Sequence, residues 1–327
     1  MAHIFAYIVH KGGVADDSAA ELLAAAKKID ATASPTAVVI GWGPELGAVC
    51  ATLRASYGEI WKVENEALAY PNAELARKAL VKVLPPGSIL LVSHEHFGID
   101  LAPGLSIKLN SAFVSDVLEI AGVEAGYLKV VRQEFGGQVS THVRCDISSG
   151  AVVTIRPGAF KPVAEASASG LVVDRSLDVG TLTAGRRYLE TVVAEAGDVD
   201  ITKYKVLVSI GRGIQEKDNV GIALELAEAM GAAVSCSRPV VDAKWMEKSR
   251  QVGSSGKTVK PKVYLACGIS GAFQHLAGIK GNPFLIAINK NPKAPIFQVA
   301  DVGIVDDILE FLPELTNKVR ELHSVAK

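Results

Sequence analysis

The sequence predicts an α/β protein of two domains, each built on a mostly parallel sheet with flanking helices. Three observations carry that expectation: short β-rich runs alternate with helical stretches from residue 4 onward, the alternation lapses near residue 158, and it resumes from residue 204. A chain of 327 residues with 49% hydrophobic and 21% charged residues is long enough to bury two such cores.

In the first half Ile4–Val9 reads as a buried strand. It is followed by helix Ser18–Ile29, strand Ala37–Ile40, helix Glu45–Ala55, strand Glu59–Val63, helix Ala73–Val83 and strand Ser88–Val92. Strands separated by helices pair in parallel with right-handed crossovers, which gives the amino half a Rossmann-like, nucleotide-binding-like character. Ala102–Leu109 reads as a further helix, and Tyr127–Val131, Val139–Arg144 and Ala151–Ile155 as β-rich segments that need not stay in the parallel sheet. The stretch Gly158–Gly170, with Pro162 and the run Ala164 to Ser169, breaks the periodicity. The expected division is an amino-terminal domain over 1–160, a linker with a connecting helix over 161–203, and a second domain over 204–327. That second domain reads as strand Tyr204–Ile210, helix Asn219–Met230, strands Ala232–Ser235 and Lys262–Ala266, helix Gly271–Ala277, strand Phe284–Ile288, and helices near Val305–Phe311 and Glu314–Ser324.

Composition narrows the function classes. The 34 Lys and Arg balance 35 Asp and Glu, leaving a net charge of -1 and no whole-chain field to draw in nucleic acid or an anionic membrane. The opening residues lack a basic stretch ahead of a long apolar run, and apolar runs elsewhere fall short of the roughly 18 residues that suggest a membrane span, so no export and no membrane insertion are expected. The four cysteines, Cys50, Cys145, Cys236 and Cys267, show no Cys-x-x-Cys spacing. That excludes a disulfide framework and an iron–sulfur or zinc site, and fits a reducing cytoplasm. His94 and His96 flank Glu95, but one His-x-His beside a single carboxylate reads as a solvated loop, and no metal is expected.

Between Arg238 and Lys293 ten basic residues face two acids, Asp242 and Glu247. Charge alone favours a solvated face. Glycine placement points further: Gly211-Arg212-Gly213 follows a buried strand, and Gly268-Ile269-Ser270-Gly271 stands between a strand and a helix. Small residues there let the backbone approach a diphosphate, with amides and a helix dipole turned to its oxygens. A third loop, Gln251 to Lys257, adds hydroxyls with a cation behind them. None is a G-x-G-x-x-G or Walker sequence, and each alone is a tight turn as readily as a ligand loop. Together they indicate a dinucleotide-like anion at the strand ends of the second domain, without naming it.

The runs Ser209-Ile210-Gly211-Arg212-Gly213, Ser237-Arg238-Pro239-Val240-Val241-Asp242-Ala243, Gln251-Val252-Gly253-Ser254-Ser255-Gly256-Lys257, Gly268-Ile269-Ser270-Gly271-Ala272-Phe273-Gln274-His275, Ala287-Ile288-Asn289-Lys290 and Ala294 to Asp301 closely resemble the FAD domain of electron transfer flavoprotein alpha subunits. The amino half is similar less sharply, through Gly98 to Pro103 and Thr154 to Phe160. The resemblance implies that Arg238 lies against the isoalloxazine ring, that His275 hydrogen-bonds its O2 edge and that the Ser255 hydroxyl, where threonine is usual, reaches N5. A guanidinium and a donor at that edge favour a negatively charged flavin and one-electron relay. Arg212, Gly253, Gly256, Lys257, Ser270, Gln274, Asn289 and Asp301 are implied to hold the ribityl chain, diphosphate and adenosine. Ser237, Gln251, Val252, Ser254, Gly268, Ile269, Gly271 and Ala272 complete the expected FAD contacts. Without that context His275 reads as a satisfied core histidine and Arg238 as a surface cation. Cys236 and Cys267 read as small buried thiols and Trp245 as packing.

The resemblance also implies a heterodimer with a beta subunit that holds AMP or a second FAD, and a carrier of electrons from an acyl-CoA dehydrogenase of fatty acid beta-oxidation to a quinone-linked oxidoreductase. Two departures, Lys248-Ser249-Arg250 ahead of Gln251 and Gly104 where arginine often follows Leu-Ala-Pro, resemble the branch linked to anaerobic acyl-CoA metabolism, nitrogen fixation and flavin-based bifurcation. In that alternative the heterodimer is an enzyme that oxidises NADH and splits electrons between an acyl-CoA dehydrogenase and ferredoxin or flavodoxin. A third reading, from another class, is a non-redox nucleotide-binding module on the same fold.

Overall fold

The computed structural model describes residues 3–135, 138–162, 170–190 and 199–325. The chain divides into two compact units, Met1–Glu190 and Thr191–Lys327, each an α/β unit with its own apolar layers.

The amino-terminal unit opens with β1 (Ile4–Ile8), a hairpin of β2 (His10–Lys11) and β3 (Val14–Ala15), and α1 (Ser18–Ile29). Alanine content, Glu21 in the first turn and Lys27 and Lys28 in the last all favour a helix at α1. Its buried Leu22, Leu23 and Ile29 contribute roughly 1.5–3 kcal/mol each relative to exposure. There follow β4 (Thr36–Gly41), α2 (Glu45–Leu53), β5 (Glu59–Glu64), α3 (Ala73–Val83), β6 (Ile89–Ser93) and α4 (His96–Leu109). The Asn72 side chain caps α3, accepting from Glu74 N at 2.9 Å. Next come β7 (Ala112–Glu124), β8 (Tyr127–Glu134), β9 (Val139–Asp146), β10 (Ala151–Ile155), β11 (Leu171–Asp174) and the single turn α5 (Ser176–Val179). The sheet order is β11-β5-β4-β1-β6-β10-β7-β8-β9, parallel except that β8 runs antiparallel to β7 and β9. One face packs on α1 and α2, the other on α3, α4 and α5.

Three expectations for this unit are corrected. β7 is a 13-residue strand, hidden because register shifts near Asp116 and Gly122 break its alternation. α4 begins at His96 rather than Ala102 and runs through Pro103. The domain boundary falls after Glu190 rather than at residue 160, because β11 pairs in register with β5 and the residues beyond it tie back to the same unit. Asn65 reaches the Gly180 carbonyl, and Arg186 makes a two-point ion pair with Asp100. Part of the expected linker, 163–169, lies outside the described residues, as do 191–198. The described remainder of 161–203 holds α5 and a 3-10 turn at Ile201–Lys203, and no longer helix.

The carboxyl-terminal unit contains β12 (Val206–Ile210), α6 (Val220–Ala229), β13 (Ala233–Cys236), α7 (Arg238–Asp242), β14 (Val263–Cys267), α8 (Phe273–Leu276), β15 (Phe284–Ile288), β16 (Val302–Ile304) and α9 (Ile308–Val325). Its five strands are all parallel, in the order β13-β12-β14-β15-β16. The order reverses between β12 and β14, the kind of switch point at whose carboxyl ends open α/β sheets place ligands. α6 and α9 cover one face of this sheet. Loops and short turns cover the other, with Val252, Val259, Ile269 and Ile296 as their buried anchors. The two helices expected near Val305–Phe311 and Glu314–Ser324 are one, capped by Asp307, whose carboxylate accepts from Leu309 N at 3.0 Å. The three-residue β16 is a fifth strand beyond the four that the sequence predicts for this unit.

Candidate functional site

Four loops leave the carboxyl edge of the second sheet together. After β12 the chain turns through Gly211, Arg212 and Gly213; after β13 it enters Ser237 and Arg238; after β14 come Gly268 to Gly271; after β15 comes Asn289. A fifth segment, Gln251 to Lys257, joins them because Val252 N donates to the Cys236 carbonyl at 2.9 Å, extending the sheet beyond β13.

The glycines of the first and third loops exist for one another. Gly213 N donates to the Gly268 carbonyl at 3.1 Å, and a Cβ at Gly211 would stand 2.3 Å from that same oxygen. Gly268 itself has φ +65, where L side chains are strained. Close loop packing, more than approach to a ligand, therefore accounts for these residues. The expected strand–loop–helix geometry is also weaker than the sequence suggested. Arg212–Ile214 is a 3-10 turn, and Phe273–Leu276 is a single helical turn in place of the helix expected over Gly271–Ala277. Little helix dipole is available at either loop.

Polar groups at this edge fall into two sets. Arg212, Arg238, Ser254, Ser255, Ser270 and Gln274 are exposed. Arg238 leans on Asp242 at 3.3 Å with 68% of its side chain exposed, so it can turn toward an anion at little cost. The Ser255 hydroxyl accepts from Gln251 Nε2 at 2.8 Å, which leaves its own proton for an acceptor outside the loop. Lys257 is partly neutralised by Asp200 at 3.4 Å; the Asp200 carboxyl is held down at about 2, by its hydrogen bonds to Thr202 first and by Lys257 after.

The second set is committed within the chain. His275 is buried; Nδ1 lies 3.1 Å from the Val252 carbonyl oxygen and Nε2 2.9 Å from the Tyr264 hydroxyl. Burial lowers its pKa to about 4 against a smaller upward pull from the Val252 bond, so it is neutral at pH 7. Both ring nitrogens are spent, which departs from the expected contact with a flavin O2 edge. Asn289 donates to the Ile269 carbonyl at 2.9 Å and accepts from Asn291 N, holding two loops in place. Asp301 does not reach the site: its carboxylate accepts from Leu285 N at 2.8 Å, at the opposite, amino-terminal end of β15 and β16. Besides Asp242, a carboxylate that does stand at the carboxyl edge is Asp307, paired with Lys290 at 2.5 Å. Its signal in the sequence was an aspartate directly ahead of an amphipathic helix, the mark of a cap.

Burial pushes the Cys236 and Cys267 thiols up to about 12, Cys236 against a smaller pull from Arg250, so neither is a thiolate at neutral pH. Among the described residues no cluster of three or more His, Cys, Asp or Glu is placed to hold a metal ion.

Residues 4–179 match the family model described as "Electron transfer flavoprotein domain", and residues 200–280 that described as "Electron transfer flavoprotein FAD-binding domain". The "Electron transfer flavoprotein subunit alpha" of Methylophilus methylotrophus is 36% identical over 299 residues, 90% of this chain and 92% of that one. The chain belongs to the electron transfer flavoprotein alpha-subunit family. Other relatives are "Protein FixB" of Clostridium saccharobutylicum, 36% identical over 81% of this chain and 80% of its own, and the alpha subunit of Bacillus subtilis, 38% identical over 73% and 72%. The FAD-binding match of this alpha-subunit member spans the loops at Gly211, Arg238, Gln251 and Gly268, and ends before Asn289 and Asp307. No described helix is long and apolar enough to cross a membrane.

Proposed function

We propose that this chain binds one FAD at the carboxyl edge of its second unit and, paired with a beta subunit that holds AMP or a second FAD, carries electrons. The donor is an acyl-CoA dehydrogenase or similar enzyme, and the acceptor a quinone-linked oxidoreductase. The observation that carries the reading is the meeting of the Gly211, Ser237, Gly253 and Gly268 loops at the sheet's switch point. Exposed Arg212 and Arg238 stand there beside a hydroxyl donor at Ser255. The residues present fit such a cofactor. The turn after Val252 is built around Gly253, which admits no side chain: its φ is +137, and a Cβ there would stand 2.7 Å from the Gln274 carbonyl oxygen.

Bound FAD supplies the reversible uptake and release of electrons. The chain's own groups set where charge is tolerated. Arg238, free to leave Asp242, would hold the ring with its guanidinium, and Ser255, oriented by Gln251, would offer it a hydroxyl donor. Arg212 neutralises phosphate. His275 acts from beneath by holding the Val252 carbonyl. A cytoplasmic setting agrees with four buried cysteines that remain unpaired thiols.

Anaerobic flavin and nucleotide analysis of the co-purified heterodimer tests this reading: one FAD with AMP, or two FAD, supports it, and a colourless heterodimer that rejects added FAD removes it. The charged run Lys248-Ser249-Arg250 ahead of Gln251 is the sequence feature that keeps the bifurcating alternative to be tested alongside. NADH-dependent reduction of the same heterodimer selects that alternative, with ferredoxin or flavodoxin as second acceptor.

A further inference from the structure

Beneath the loop-covered face of the carboxyl-terminal sheet runs a line of buried polar groups. Ser209 on β12 and Ser235 on β13 are register partners without exposed surface. Tyr264 on β14 is equally buried and brings its hydroxyl 2.7 Å from Ser209 Oγ and 2.9 Å from His275 Nε2. Around them the same face is apolar, with Leu207, Ala233, Ala266 and Leu285. Phenylalanine would fill the space of Tyr264 and spare the layer its hydroxyl, so the phenol has a task beyond packing.

Counting protons defines that task. A carbonyl oxygen only accepts, so the 3.1 Å contact with Val252 places the imidazole hydrogen on Nδ1. Nε2 of the neutral ring is then bare and accepts the Tyr264 proton. Tyr264, its one proton spent, accepts in turn from Ser209. Along Ser209, Tyr264 and His275 each donor has one acceptor, and the line ends on the Val252 carbonyl; the Ser235 hydroxyl is buried beside it without a hydrogen bond. That carbonyl precedes Gly253 and the turn whose Ser254 N donates to Gln274 O at 2.7 Å and whose Ser255 is fixed by Gln251.

We propose that Tyr264 is a positioning residue: its hydroxyl holds His275 as the Nδ1-protonated tautomer, and through the Val252 carbonyl it sets the turn that carries Ser254 and Ser255. Only the last consequence, that the turn faces a flavin, rests on the function proposed above. The line of bonds also explains why His275 has no nitrogen to offer a ligand in this arrangement. A ligand contact from His275 requires it to exchange the Tyr264 bond.

The test uses the full chain with its beta subunit and reads two quantities, the His275 imidazole ¹⁵N shifts and hydrogen exchange at the Ser254 amide. In the unsubstituted protein the shifts report a protonated Nδ1 and a bare Nε2; a protonated Nε2 overturns the proposal. Tyr264→Phe accelerates Ser254 exchange tenfold or more, and so does His275→Asn. The double substitution exchanges no faster than the faster single one, because both act through one line of bonds. Effects that multiply mean that Tyr264 serves packing alone and overturn the proposal. Should Tyr264→Phe fail to fold, Ser209→Ala enters the same cycle with a smaller acceleration that His275→Asn must likewise abolish. If the heterodimer retains no FAD, the flavin reading fails while the exchange cycle still decides the role of Tyr264.

Discussion

The guanidinium of Arg77 on α3 lies over Gly104 of α4, with Nη2 2.8 Å from the Asp100 carbonyl oxygen. Pro103 has no amide hydrogen for the preceding turn and its ring crowds that turn, so carbonyls there need another donor. Arg77 supplies it from the neighbouring helix. Gly104 is thus the clearance for an arginine of the neighbouring helix.

Gly104→Ala sets a helix-propensity gain of about 1 kcal/mol against displacement of the Arg77 guanidinium, whose Nε and Cζ would lie 2.7 Å from the new Cβ; as the far end of a flexible side chain it can swing aside, losing its bond to Asp100 at a cost of about 0.5–1.5 kcal/mol. The expected outcome is little net change, within about 0.5 kcal/mol, in the native background and a gain of about 1 kcal/mol in the Arg77→Ala background. Chemical denaturation of the four proteins of that cycle checks it, and additive values would refute the contact.

Asp116 holds a left-handed conformation, φ 59, at the break in β7, and Arg156 grips its carboxylate at 2.8 and 2.5 Å. Burial raises the Asp116 pKa, but the bonds and charge of Arg156 outweigh it and hold the carboxyl below its ordinary range. Asp116→Ala takes the carboxylate from a part-buried guanidinium that keeps its bond to Gln133, and is expected to cost about 1.5–3 kcal/mol. Its folded pKa being depressed, the pair's contribution is present above the ordinary aspartate value and is lost as pH falls below it. Acid unfolding of the Asp116→Asn protein should therefore show a shallower slope below pH 4, the quantity to measure.

His275 gives a second pH signature with a distinct window. An unfolded imidazole titrates near 6.5 and the folded one at about 4, so between these values the unfolded chain binds the extra proton. Stability is full above 6.5 and falls by roughly 3 kcal/mol as pH drops through 4. His94 in the other unit is also lowered, chiefly by burial, so a global melt mixes the two. Exchange at the Ser254 amide, corrected for its intrinsic pH dependence, isolates His275. The increment between pH 6.5 and 4 should vanish in His275→Gln.

Much of the α/β order was legible because buried parallel strands such as β1, β4 and β12 are continuous apolar runs bounded by helices. β7 was not, since bulges at Asp116 and Gly122 break the period of two that marks a strand. β11 is not legible because Leu171 to Asp174 form an exposed edge strand of four residues, which carries little of the apolar signature of a buried one. At the site, the loop residues were legible from their glycines and hydroxyls. The commitments of His275, Asn289 and Asp301 were not, because a side chain's partner is decided by the register of strands distant in sequence. Asp301 and Asp307 are six residues apart, yet β16 between them carries one to each end of the sheet.

Gly211 tests whether the site depends on loop packing or on charge. A methyl there would lie 2.3 Å from the Gly268 oxygen and 2.8 Å from the Gly268 carbonyl carbon, and backbone cannot rotate aside as a side chain does. Gly211→Ala should cost about 1–3 kcal/mol through forced separation of the β12 and β14 loops. Arg212→Ala, one residue on and exposed, should leave stability within about 0.5 kcal/mol. Cofactor retention is expected to behave differently from stability. Both substitutions weaken FAD binding, Gly211→Ala at every ionic strength because the loops have moved, Arg212→Ala chiefly at low salt where its charge counts. Equal salt dependence in the two would mean that Arg212, like Gly211, serves the fold alone.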